Sequence, residues 1–175
     1  APIIFTYDDE ANATTSTTGR WGGIIINGNA PVNGCAEGTD LCQLEGEGST
    51  GLYGGNNPAD SSGAMNYVIV KYPGQNITET NELNGIALQG VGSGTVLTNI
   101  QVHGSSDDGI EFFGGRASVK NLVLTNNEDD SFDWTFGWSG RAQFIAITQR
   151  SDDADWGIEA DSNEFNNDAL PRATP

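Results

Sequence analysis

Two short apolar patterns recur along this chain at nearly the same interval, and that recurrence limits the fold more than any other feature. The first pairs a polar or glycine doublet with an alternating strand: Asn84-Gly85-Ile86-Ala87-Leu88, Asp108-Gly109-Ile110-Glu111-Phe112, Asp130-Ser131-Phe132-Asp133-Trp134 and Trp156-Gly157-Ile158-Glu159-Ala160. Gly22-Gly23-Ile24-Ile25-Ile26 is an earlier cousin. The second comprises Tyr67-Val68-Ile69-Val70, Asn99-Ile100-Gln101-Val102, Asn121-Leu122-Val123-Leu124 and Phe144-Ile145-Ala146-Ile147. Spacings are 24, 22 and 26 residues in the first family and 32, 22 and 23 in the second.

A repeat of this length holding two or three short strands, with no helical periodicity, is what one coil of a parallel β-helix needs. Each coil stacks on the last at about 4.8 Å and buries its inward side chains in a continuous core. The expectation is an all-β, right-handed parallel β-helix of about five coils, the hand following from the general preference of parallel crossovers. A β-sandwich would show regular strands but no motif repeating at coil period. Residues 1–175 read as one domain, with loop insertions at 27–63 and 72–82 where the period breaks. Pro2-Ile3-Ile4-Phe5-Thr6 resembles a strand of a preceding coil, and no amphipathic cap follows Asp168. The chain is therefore expected to continue, or to stack end to end as a filament subunit.

Charge narrows the partners. The chain carries 24 Asp and Glu against 7 Lys and Arg, a formal charge of -17. This disfavours binding to nucleic acid or anionic lipid through a basic surface. No long apolar run points to membrane insertion. The two cysteines, Cys35 and Cys42, lie in a Gly/Asp/Glu loop and are expected to form a local disulfide in an oxidising compartment. With His103 as the single histidine, a zinc site is disfavoured.

Gly19-Arg20-Trp21-Gly22-Gly23-Ile24-Ile25-Ile26-Asn27-Gly28, Tyr53-Gly54-Gly55 and Asn81-Glu82-Leu83-Asn84-Gly85-Ile86 resemble large bacterial surface proteins and lipoproteins of the right-handed β-helix class. So do Val102-His103-Gly104, Asp107-Asp108-Gly109-Ile110-Glu111-Phe112-Phe113-Gly114-Gly115 and Asp129-Asp130-Ser131-Phe132-Asp133-Trp134. The resemblance implies a β-helix and export to an extracellular or cell-surface address, without supplying a reaction.

Strand alternation places Glu111, Asp133 and Glu159 on one column, facing outward if Ile110, Phe132 and Ile158 face inward. Asp108, Asp130 and Asp153 lie just before the same strands, and residues 105–168 hold 14 of the 24 acids against four basic residues. Like charges about 5 Å apart repel unless a cation or shared protons intervene. Three readings follow. Calcium held by Asp108, Glu111, Asp130, Asp133, Asp153 and Glu159 suits a set of hard oxygen donors. Alternatively, outward acids only keep a solenoid soluble. Finally, Glu111 with Asp133 offers a carboxylate pair for polysaccharide cleavage, as hydrolase or lyase. The lyase version suffers from few basic groups near the coils.

Phe113, Trp138 and Tyr53 are candidate glycan contacts, because exposed aromatic faces stack on sugars with little entropy to lose. His103 is expected to face outward on a column with Lys71, Thr125 and Thr148. Together these features favour a non-enzymatic module for adhesion, matrix assembly or glycan contact, with possible calcium binding.

Overall fold

A computed structural model describes residues 1–78 and 82–175 of the chain. Asn81 of the glycine-flanked motif, with residues 79 and 80 of the 72–82 excursion, lies outside the described residues. The strands are β1 (Ile3–Phe5), β2 (Ile24–Asn27), β3 (Leu44–Glu45), β4 (Leu52–Tyr53), β5 (Ala64–Lys71) and β6 (Ile86–Gln89). They continue as β7 (Val96–His103), β8 (Ile110–Phe113), β9 (Ser118–Thr125), β10 (Phe132–Thr135) and β11 (Ala142–Thr148). Two three-residue 3-10 turns, at Glu10–Asn12 and Glu47–Ser49, are the helical elements among the described residues.

The two sequence families become two parallel sheets. One, here the long sheet, runs β1-β5-β7-β9-β11; the other, the short sheet, runs β10-β8-β6-β2. Register follows the repeat residue for residue: Val68 pairs with Ile100, Ile100 with Leu122, and Leu122 with Ile145. Ile24 pairs with Ile86, Ile86 with Ile110, and Ile110 with Phe132, which bridges to Ile158. The chain is a parallel β-helix with five rungs, as the spacing requires.

The core forms where the inward faces of the sheets meet. Ile86, Leu88, Ile110, Phe112 and Phe132 from the short sheet pack against Val70, Ile100, Val102, Leu122 and Leu124 from the long one. Each such buried side chain contributes about 1.5–3 kcal/mol relative to exposure. The turns stack as tightly as the strands: Gly85 N–H donates to Asp108 O and Gly109 N–H to Asp130 O. A Cβ on Gly109 would stand 2.6 Å from the Ser131 backbone oxygen, so this corner admits only glycine. The conformational freedom of glycine is secondary there; the close approach of the next coil decides the residue.

The stretch between β2 and β5 folds back over the outer face of the short sheet. Its small antiparallel pair, β3 with β4, brings Tyr53 and Glu47 onto that face. Cys35 and Cys42 are bonded to each other within the same stretch.

Candidate functional site: a covered acidic cluster

Strand pairing places Ala87, Glu111 and Asp133 on one column of the short sheet. Their direction relative to solvent differs from the expectation. They point away from the core, yet Glu111 is only 9% exposed and Asp133 only 7%. The cause is the excursion carrying Glu47 and Tyr53, which roofs the column. Asn84 Nδ2 ties the roof to the sheet by donating to Glu47 Oε1 at 2.9 Å and to Glu111 Oε2 at 2.6 Å. Gln89 Nε2 adds a bond to Glu47 Oε2 at 3.3 Å.

Asp108, Glu111 and Asp133 converge, with one oxygen of each lying within 4.8 Å of the others. A second trio, Asp107, Asp108 and Asp129, shares Asp108 with the first and meets the same distance limit. Asp129 in turn lines an open groove of about 530 Å³ with Glu82, Asp153 and Asp155. Carboxylates thus step from solvent to the buried trio. Among the described residues no Lys or Arg pairs with any of them; the ion pairs are Lys71 with Glu10, Arg150 with Glu128 and Asp152, and Arg172 with Asp168.

Burial without a counter-charge sets the protonation of the cluster. Burial first, then the neighbouring Asp108 and Asp133, push the Glu111 carboxyl well above the ordinary range. Burial and Asp107 do the same to Asp108. Asp133 rises to about 6, mainly by burial, while a hydrogen bond from Glu111 opposes the rise. Glu111 therefore keeps its proton to higher pH than Asp133 does. Burial raises Glu47 to about 7 and Asp107 to about 6. Asp108 Oδ1 accepts the Asp130 N–H at 3.0 Å, fixing the turn that carries it.

Among the buried oxygens without a hydrogen-bond partner are Asp133 Oδ1 and Asn84 Oδ1, the latter on a residue 1% exposed. An unsatisfied buried oxygen costs about 1–3 kcal/mol. Oxygen donors only, several of them anionic, two of them orphaned, fit a hard divalent cation such as calcium. Asp108, Glu111 and Asp133 would hold it, with Asn84 beside them.

The other sequence candidates disperse. Asp130 is buried, at 1% exposure, but it accepts the Trp156 N–H and faces Glu159 rather than the trio. Glu159 and Asp153 are exposed, Asp153 on the groove wall. The glycan-contact expectation needs correction for two residues. Trp138 is fully buried, its Nε1 donating to Ala117 O at 2.9 Å, and Tyr53 is 3% exposed beneath the roof. Phe113 is half-buried between Tyr53 and Phe136. Trp138 follows Phe136 and Gly137, both at positive φ, and that turn swings it into the core. His103 does share its column with Lys71, Thr125 and Thr148. It is half-buried and bonded to Thr125 Oγ1 at 2.7 Å.

Glu47, Asn84 and Asp107 were not among the candidate ligands read from the sequence. Asn84 had a signal, as the doublet residue preceding Ile86; Glu47, in an aperiodic stretch, had none.

The five-rung parallel coil has a counterpart among known families. A family model described as a pectate-lyase-like β-helix domain matches residues 1–175. The chain belongs to that family. No curated protein matches it, and no solved structure does. Family membership and the five rungs describe one architecture, and the paired cysteines suit an oxidising compartment. No helix among the described residues is long and apolar enough to cross a membrane.

Proposed function

We propose that this chain is an extracellular or cell-surface β-helix module that contacts polysaccharide, with calcium held by Asp108, Glu111 and Asp133 neutralising its covered acids. The observation that carries the calcium reading is the convergence of three buried carboxyls beside the unpartnered oxygens of Asp133 and Asn84, with no basic side chain among the described residues paired to them. The family's description supports polysaccharide contact. The disulfide, and the resemblance to bacterial surface proteins and lipoproteins, support the address. In this reading the ion stiffens the roof over the short sheet, making the module suitable for adhesion or matrix assembly.

The test is calorimetric melting of chelator-treated protein with and without calcium. A saturable rise in Tm that Glu111→Gln removes is the expected result; an unchanged Tm would sink the metal.

The family's description also favours a second reading, polysaccharide cleavage by Glu111 and Asp133. Glycoside hydrolysis places its two carboxyls about 5–9.5 Å apart, around the sugar. Here one oxygen of each lies within 4.8 Å of the other under a roof, which suits ion holding better. Incubation with uronate-rich and neutral polysaccharides separates the readings, since only an enzyme releases reducing or unsaturated ends that Glu111→Gln abolishes.

A further inference from the structure

The long sheet bends at one position on each of β5, β7, β9 and β11, and the residues at that bend form a second column of interest. Tyr67, Asn99, Asn121 and Phe144 stack there, all left-handed, with φ of 56°, 54°, 59° and 61°. Asparagine tolerates this conformation; a bulky aromatic residue does so only at a cost in strain. The two middle positions obey that preference and form an amide ladder. Asn121 Nδ2 donates to Asn99 Oδ1 at 2.9 Å, and Asn99 Nδ2 to Asn66 Oδ1 at 2.8 Å. The two outer positions break the preference.

Packing does not explain the aromatic residues, because Tyr67 is 62% exposed and Phe144 64%. Strain retained at exposed side chains that support no core is a signature of function. Between the two rings lies an open, mostly apolar groove of about 570 Å³, floored by Ile69, Gln101, Val123 and Ala146. Three rungs separate the rings, or about 14 Å at the usual strand spacing. No residue lining the groove is charged, and no strand of the long sheet carries an Asp or Glu. In a chain of formal charge -17, this face is free of acids, and Lys120, whose ammonium lies 5.3 Å from the Phe144 ring centroid, stands at its edge.

We propose that the bend column of the long sheet, from Tyr67 to Phe144, binds a neutral glycan. Aromatic rings offer flat apolar faces to the C–H surface of sugar rings. Amides supply both donors and acceptors for hydroxyls: Asn121 Oδ1, at the open end of the ladder, accepts from no described residue, and Gln101 lies in the adjacent column. Charge matching selects the ligand, since the acids elsewhere repel an anionic polysaccharide while an uncharged one meets no opposing group. The site lies on the long sheet rather than under the roof. It gives the polysaccharide contact proposed above a location, and so rests on that reading, but not on calcium.

Affinity electrophoresis of the full chain through gels containing xylan, galactomannan or mixed-linkage β-glucan tests this, with polygalacturonate as the charged comparator. At least one neutral glycan should retard the protein. Tyr67→Asn and Phe144→Asn should each weaken that interaction tenfold or more while Tm holds or rises, since asparagine suits the bend. Glu164→Gln, at an exposed acid that does not line the groove, should leave it intact. Retardation by polygalacturonate alone would overturn this site while sparing polysaccharide contact elsewhere, and retardation by no polysaccharide would overturn both. Variants that bind as tightly as the parent, or a sedimenting dimer that Phe144→Asn dissolves, would also overturn it, the latter by assigning the face to a second copy.

Discussion

The two sheets share a core and a period but treat their outer faces in opposite ways. The short sheet places acids outward and then covers them with the excursion bearing Glu47 and Tyr53, so its outer face becomes a second interior. The long sheet places Ile69, Gln101, Val123 and Ala146 outward without acids and leaves them in an open groove. Side-chain chemistry on a β-helix is therefore set twice, once by alternation along the strand and again by what the loops bring over it. A carboxylate in open solvent needs no partner; the same carboxylate under a roof needs a proton or a cation.

The largest expected effect lies on the covered face. At pH 8, calcium at 100 times its Kd should stabilise metal-free protein by about 2.7 kcal/mol. For a chain of this size that raises Tm by about 5–10 °C. Asp133→Asn should remove at least half of the shift, and melting curves followed by circular dichroism check it. If substitutions on the open face, such as Val123→Thr, remove it equally, the contrast between the sheets fails.

Acidity gives the next effect, and its sign follows from the direction of the shifts. Asp133 and Asp107 are raised to about 6, and Glu47 and Asp130 to about 7, each chiefly by burial. The folded chain therefore keeps protons that the unfolded chain has released, so this contribution is complete below about pH 4 and is lost as pH rises through 6–7. In chelator, Tm should fall between pH 5 and pH 8; with calcium the slope should flatten. A metal-free Tm that rises over that interval would remove the covered carboxyls from the account.

Smaller effects belong to the open face. Relief of the left-handed strain at Tyr67 or Phe144 by asparagine should add about 1 kcal/mol, a few degrees in Tm, independent of calcium and pH. Lys120→Ala removes an ammonium lying 5.3 Å from the Phe144 ring centroid. The expected loss is about 0.5 kcal/mol, measured by urea denaturation.

The fold was legible because coil spacing translates directly into register. Equivalences read from the repeat, 68 with 100, 122 and 145, and 86 with 110, 132 and 158, are the observed pairs. The columns of Glu111 and Asp133, and of His103, follow from the same arithmetic. Burial was not legible, because it depends on a stretch with no period at all: nothing local to Glu47 places it against Asn84, 37 positions away. Trp138 misled for a related reason, since alternation assigns direction only within strands and it sits beyond β10 in a turn. The bend column was present in the repeat as the first residue of each second-family segment, but its meaning required the backbone angles.

Calcium titration of chelator-treated protein by isothermal calorimetry, at pH 7 in two buffers of different ionisation enthalpy, tests the covered cluster most directly. Glu111 and Asp108 hold protons in the metal-free state, so binding should be saturable and should release protons, giving heats that differ between the buffers. Glu111→Gln should reduce both the affinity and the proton release. Absence of saturable heat, or binding with identical heats in both buffers, would contradict a cation site built from covered, protonated carboxyls.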